Sequence, residues 1–361
     1  MSFADLWALE MLLAAFAGGA FGAAIGALPA FTFAGFLVIA GETYAMLERN
    51  LGVSVEAAGL GSVAITESIA LGVVFGPHVS FGGGAAAAAY AAKRGYLDTG
   101  FEYHEAKNVV QGLGTRPDVL LVGGVFGIVG YWIASASAAL SAPWGPVAMG
   151  VVLSALCHRL VLGYSLIGAT RGKLLDMRPF ENGTARSSER GRDRRSATDG
   201  GRLLVEPWLP YQYKWANVTV LGAVVGILGA YIAYVTGSAF LAFGISVATL
   251  VYINAGVAKI PVTHHITLPA STAVLAVVGA PMGELTPELV AASISLGDAL
   301  LLGAAFGVVG ALAGEVTQRI FYAHADTHLD PPAASIVLTS FLIAVLAMAG
   351  VFASAVWIPH P

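Results

Sequence analysis

The sequence predicts an all-α integral membrane protein of about ten transmembrane helices, built as two inverted five-helix repeats with broken or re-entrant helices near the midplane. Three observations predict it. Hydrophobic residues make up 57% of the chain and charged residues only 11%, whereas a soluble domain carries roughly a quarter charged residues. Apolar runs of about 20 residues recur, the length a helix needs to cross the hydrocarbon core. A set of landmarks also occurs twice, once on each side of a single basic segment. Mean hydropathy is +0.77, and the runs lack the alternation of lipid-facing barrel strands, so the spans are helices.

Residues 1–170 form the first repeat, with spans expected near 8–28, 29–48, 72–93, 118–138 and 145–168. Residues 215–361 form the second, with spans near 216–235, 239–257, 263–281, 298–318 and 331–353. Glycine stripes mark matching helices: Gly18, Gly22 and Gly26, then Gly123, Gly127 and Gly130, then Gly222, Gly226 and Gly229, then Gly303, Gly307 and Gly310. Between stripes the order of features repeats, so that His78 falls against His265, Ser80 against Thr267, and Gly127 against Gly307. The stretch from Leu60 to Phe75 is apolar but carries Thr66, Glu67 and Ser68, and reads as a re-entrant segment leading to His78.

From Arg171 to Lys214 lie ten of the eighteen basic residues, spaced by Gly, Ser, Thr and Asp, which reads as a flexible, solvated cytoplasmic linker. Five spans per half is an odd number, so the second half enters the membrane from the opposite side. With the linker inside, Lys93, Arg94, Lys107, Arg116, Lys259 and Arg319 also fall inside, as the positive-inside rule requires. Both termini are then extracytoplasmic, and the chain is expected in the plasma membrane. The first ten residues carry acidic but no basic side chains, unlike a secretory leader.

The strongest site candidates are two matching segments that interrupt their helices. In PHVSFGGGA, Pro77 and the run Gly82, Gly83, Gly84 disfavour a continuous helix, and in THHITLPAST, Pro269 does the same. Broken backbone at membrane depth is tolerated where it is buried in protein or lines a watery cavity, and a helix starting there offers free N–H groups. His78, Ser80, Gly82, Gly83, His265, Thr267, Ser271 and Thr272 are thus expected to bind the solute. The competing reading is that the glycines allow close packing and the histidines satisfy buried carbonyls. Ionisable groups in apolar runs mark ion pathways: Glu67 and Glu42, with Asn254 opposite Glu42, are the coupling candidates, while Asp298 and Glu315 read as helix-end residues.

His324, Asp326, His328 and Asp330 alternate in HADTHLDPP and include both imidazole and carboxylate donors for a divalent metal, with His324, Asp326 and His328 the expected ligands. The competing reading makes Asp330 an N-cap ahead of two prolines. His158 and Arg159 read as interfacial anchors. Cys157 is the only cysteine, so an intrachain disulfide is excluded. No nucleotide-binding, serine-hydrolase or zinc-protease motif occurs, so no enzyme activity and no cofactor are expected. The expected partners are the lipid bilayer, a small solute or ion, and a second copy of the chain, but not nucleic acid. The function expected is a secondary transporter or facilitator for a small polar solute or ion. The alternatives are a passive channel of the same architecture and a structural membrane protein.

Overall fold

Pro117 opens a helix where its missing N–H has no intrahelical partner to lose, and Asp118 sets negative charge beside the helix N-terminus. No charged side chain follows until past Ala139, and the helix runs without interruption to that residue. Pro331 and Pro332 open the last long helix in the same way, behind Asp330, whose Oδ2 accepts from the Ala333 N–H at 2.8 Å.

In the computed structural model, residues 5–51, 64–168, 170, 173–186 and 202–360 are described. The helices are α1 Leu9–Ile25, α2 Ala27–Leu51, α3 Ser80–Lys93, α4 Pro117–Ala139, α5 Pro146–Val161 and α6 Arg178–Glu181. They continue as α7 Trp215–Thr236, α8 Leu241–Ala248, α9 Val251–Asn254, α10 His264–Ala276, α11 Pro287–Ser293, α12 Leu296–Phe321 and α13 Pro331–Met348. Among the described residues an isolated bridge between Ala185 and Leu203 is the one β-pairing. Five helices are long and apolar enough to cross a membrane: Ala27–Arg49, Pro117–Ala139, Trp215–Thr236, Leu296–Phe321 and Pro331–Met348. Leu9–Ile25, Pro146–Val161 and Leu241–Asn254 are shorter and also apolar.

α7 is inverted relative to a helix of a soluble protein. Its glycines Gly222, Gly226 and Gly229 face the interior, while Val220 and Val224 are 63% and 61% exposed on the other side. Lipid is as apolar as valine, so no hydrophobic force pulls such helices together, and close van der Waals approach does so instead. Gly226 lies against Gly303 and Gly307 of α12, and Gly19 of α1 lies against Gly123 and Gly127 of α4. A β-carbon at any of these would run into opposing backbone.

α3 packs against α1, α4 and α5, and α10 packs against α7, α12 and α13. The halves meet where α2 lies on α8 and α5 lies on α13. Loop contacts sort into two ends. At one end Trp132 donates to the Leu6 carbonyl, Arg49 to the Leu285 carbonyl, and the Ser354 N–H to the Ala276 carbonyl. At the other, Tyr211 donates to the Ile260 carbonyl, the His328 N–H to the Ala106 carbonyl, and Lys107 pairs with Glu206.

Several sequence expectations change. The span expected at 239–257 is two short helices, α8 and α9, parted at Thr249, whose hydroxyl turns back to the Ser246 carbonyl. Gly82 to Gly84 do not break α3; they lie inside it, where Gly83 packs on Gly19 and Gly123. Pro269 lies within α10 and does not end it, because Gly310 leaves room beside both the Pro269 ring and the His265 carbonyl. The breaks fall earlier, over 71–79 and 255–263.

The described part of the Leu60–Phe75 stretch is a π-helical turn, Ile65–Ala70, followed by bends; residues 60–63 lie outside the described residues. The ends of the linker are docked, not free. Glu206 is fully buried, and Arg186 and Arg202 both pair with Asp326, at 2.9 and 2.8 Å. Residues 187–201 lie outside the described residues. His158 and Arg159 are fully buried instead of interfacial: Arg159 donates to the carbonyls of Leu166, Phe321 and Thr327. Glu315 is no exposed helix end either, since it is buried against Arg319 at 2.5 Å.

Candidate functional site

The two broken segments begin their helices inside the bundle. Ahead of α3 the chain turns through Gly72 and Gly76, and the Ser80 hydroxyl donates to the Phe75 carbonyl at 3.0 Å. Ahead of α10 the Thr263 carbonyl accepts from the N–H groups of Ile266 and Thr267, which starts the first turn at His264. Pro77 favours the first break, because its ring keeps Gly76 out of helical backbone.

Between these starts lies a cavity of about 790 Å³, bounded by both halves of the chain. Phe31 of α2, Phe81 of α3, Val151 of α5, Phe243 of α8, Leu268 of α10 and Ile336 of α13 form its walls. It reaches the end of the bundle that carries Gly145, Met282 and Pro359. Its inner limit is set by Phe81, His264 and Asp330. Beyond Phe81 and Asp330 a second void, lined also by Ala85, Ala155 and His328, is too narrow for water.

The inner limit is an aromatic cluster. The Phe31 ring stands 6.0 Å from Phe81, 6.3 Å from Phe243 and 5.1 Å from His264, centroid to centroid. Phe81 continues to His328 at 5.5 Å. The polar groups on the cavity wall are few: Glu67 and Ser68 on the π-helical turn, His78, Ser135, His264 and Asp330. Nδ1 of His78 and Nδ1 of His264 are buried without a hydrogen-bond partner.

Of the sequence candidates, the cavity brings together His78 and Glu67. Gly82 lines the narrow void behind it. The others are engaged elsewhere. Thr267 donates to the His264 carbonyl, Ser271 to the Ala239 carbonyl, and Thr272 to the Leu268 carbonyl while accepting from Trp357. His265 packs against Trp208, 6.1 Å between centroids. Glu42 ties two regions: Oε1 accepts from Thr66 at 2.9 Å and Oε2 from Ser238 at 2.6 Å. Asn254 donates to the Thr32 hydroxyl at 2.9 Å.

His324, Asp326 and His328 do not converge. His324 bonds the Leu174 carbonyl, Asp326 is held by Arg186 and Arg202, and His328 lies between Phe81 and Tyr322. Among the described residues no group of three or more His, Cys, Asp or Glu side chains is placed to hold a metal ion. Asp330 is the N-cap that the competing reading of this segment gave it.

Sequence reasoning missed His264 and the aromatic wall, and singled out Asp330 as a string member and N-cap but not as a cavity residue. The histidine pair His264-His265 signalled a site, but one residue of a helix start decides which ring faces inward, and periodicity does not resolve that. It also missed the buried charges at the linker end. There Lys107 pairs with Glu206 at 2.6 Å, both side chains being fully enclosed, and Arg202 reaches Glu206 and Asp326. Burial pulls the Lys107 ammonium down to about 8, against the opposing pull of Glu206. Burial pushes Glu206 upward, yet Lys107 and Arg202 outweigh it and hold the carboxyl below its ordinary value.

The chain matches, over residues 1–361, the family described as "Family of unknown function (DUF7973)", and it belongs to that family. No curated protein and no solved structure matches it.

Proposed function

We propose that this member of the family is a membrane transporter, a secondary transporter or facilitator, whose solute site is the cavity between its two halves. One observation carries the reading. A single space of about 790 Å³ has walls from both halves, reaches one end of the bundle, and is shut toward the other by Phe81 and Asp330. A space that reaches one end and is closed toward the other supports reading it as a solute chamber.

The architecture that goes with it is two five-span halves related by inversion, in the manner of many transporters with midplane sites. Support comes from the packing partners: α3 lies among α1, α4 and α5 as α10 lies among α7, α12 and α13. The glycine contacts pair in the same way, Gly22 with Ser80 and Gly229 with Thr267. On this reading the end that holds the linker, Lys107 and Lys259 is cytoplasmic, the opposite end with Glu284 and Glu288 is extracytoplasmic, and the membrane is the plasma membrane. Rocking of α3 and α5 against α10 and α13 would then move the barrier past the solute.

Cysteine accessibility tests this before any solute is known. On a Cys157→Ser background, Ser135→Cys sits on the cavity wall and Ala155→Cys on the void behind Phe81. A transporter labels at Ser135→Cys with an impermeant thiol reagent from outside and at Ala155→Cys from inside, and blocking one state depresses labelling of the other. Simultaneous labelling of both positions from one side indicates a continuous pore and replaces this reading with the channel. No labelling at either position removes the aqueous chamber and leaves a structural role.

A further inference from the structure

We propose that the cavity selects an organic cation: an amine or quaternary ammonium group on an apolar or aromatic body. This inference rests on the transporter reading above for its setting, and on the chemistry of the walls for its content.

The formal charges on the wall are of one sign. Glu67 stands toward the open end and Asp330 at the inner limit, and among the described residues no lysine or arginine lines the space. Asp330 accepts the helix-capping bond from the Ala333 N–H at Oδ2, and its Oδ1 stands 3.5 Å from His328 Nε2. Lys107, Arg159 and Arg202 are tied to carbonyls or carboxylates at the linker end, and Arg49 donates to the Leu285 carbonyl at the other. An anion entering this cavity would meet two carboxyl groups and no cation.

The rest of the wall does not suit a dehydrated divalent cation. A calcium or magnesium site needs six or more oxygen ligands at close range, and here Phe31, Phe81, Phe240, Phe243, Tyr131 and Trp357 occupy that surface. Aromatic faces attract a cation through their quadrupole, most strongly when water is excluded, and they are the usual lining for ammonium groups. The volume falls within the range of pockets that enclose drug-sized molecules.

Three probes of similar shape and different charge decide it: benzyltrimethylammonium, its uncharged isostere neopentylbenzene, and phenylmethanesulfonate. Binding of each radiolabelled probe to the full chain in detergent micelles is measured by equilibrium dialysis. The cation is expected to bind about tenfold or more tightly than the isostere, with no binding of the anion. Asp330→Asn, which keeps an N-capping side chain and removes the charge, is expected to lose about tenfold for the cation and nothing for the isostere. Equal binding of cation and isostere, preference for the anion, or an unaffected D330N overturns the inference. Uptake into proteoliposomes separates the two readings. If the cation binds but never crosses, transport fails while the charge selection stands; if the isostere or the anion crosses and the cation does not, transport stands and the charge selection fails.

Discussion

Gly130 lies directly against the backbone carbonyl of His78, so closely that a β-carbon at position 130 would overlap that oxygen. Gly310 stands in the same relation to the His265 carbonyl. Each contact presses a long helix, α4 or α12, onto the first turn of a helix that starts inside the bundle. The glycines therefore fix where α3 and α10 begin, and with them where His78 and His264 stand.

Adding one methyl group should test that relationship. Gly130→Ala and Gly310→Ala are each expected to destabilise the protein by about 1–3 kcal/mol, since backbone cannot yield as a side chain can. Thermal unfolding in micelles reads the effect. Gly297→Ala is the control: it lies in the first turn of α12, facing only Ser295 at 3.9 Å, and should gain up to about 1 kcal/mol from helix propensity. Unchanged melting of Gly130→Ala would show that the α4 contact does not constrain the start of α3.

Topology yields a second expectation. On the Cys157→Ser background, single cysteines at Thr286 and Ser354 should react with an impermeant reagent applied to intact cells, and one at Ser188 in the linker should be protected until the membrane is opened. Thr286 and Ser354 belong to the same end of the bundle, through the Arg49–Leu285 and Ser354–Ala276 contacts. Labelling at Ser188 together with Thr286, or protection of Ser354, makes the number of crossings wrong.

The sequence made the long helices legible because each is an apolar run, and two of them also have a chemical start. Pro117-Asp118 and Asp330-Pro331-Pro332 are such starts, and the helices begin at Pro117 and Pro331. The glycine stripes marked matching helices but not which ones touch; the structure sets stripe against stripe, as between Gly226 and Gly303. The cavity was half legible. His78 and Glu67 line it, but Ser271 and Thr272 are spent on carbonyls within the fold, which membrane hydroxyls do readily where water is absent. The aromatic wall was hidden because Phe31, Phe81 and Phe243 come from three separate helices, and no local pattern relates them. Burial of Lys107 was hidden too, since a lysine in a polar loop reads as solvated until its partner Glu206, ninety-nine positions away, is seen beside it.

That pair supports a third expectation. Lys107→Met removes the cation and leaves Glu206 enclosed with Arg202 alone, and loss of about 3 kcal/mol is expected, the usual result of breaking a buried ion pair from one side. Lys107→Met with Glu206→Gln should lose less than the two single changes summed, by about 1–3 kcal/mol of coupling. Additive losses in a melting series would mean the two groups do not act as a pair.

The pH dependence of Lys107 follows from its burial. The enclosed ammonium gives up its proton near pH 8, against an ordinary value of 10.5. In the unfolded chain the amine keeps that proton until about 10.5, so between pH 8 and that value the unfolded state binds more protons than the folded one. Stability from this group therefore rises with pH across that window, and is flat below about 8, where both states hold the proton. The same rise discharges Lys107 and weakens its grip on Glu206, leaving Arg202 to hold the linker end. Protein biosynthetically labelled with ¹³Cε-lysine should show one lysine resonance titrating near 8, missing in Lys107→Gln. A spectrum in which no lysine titrates near 8 and the Lys107 resonance titrates near 10.5 would mean that water reaches Lys107 and that the linker end is not docked as described.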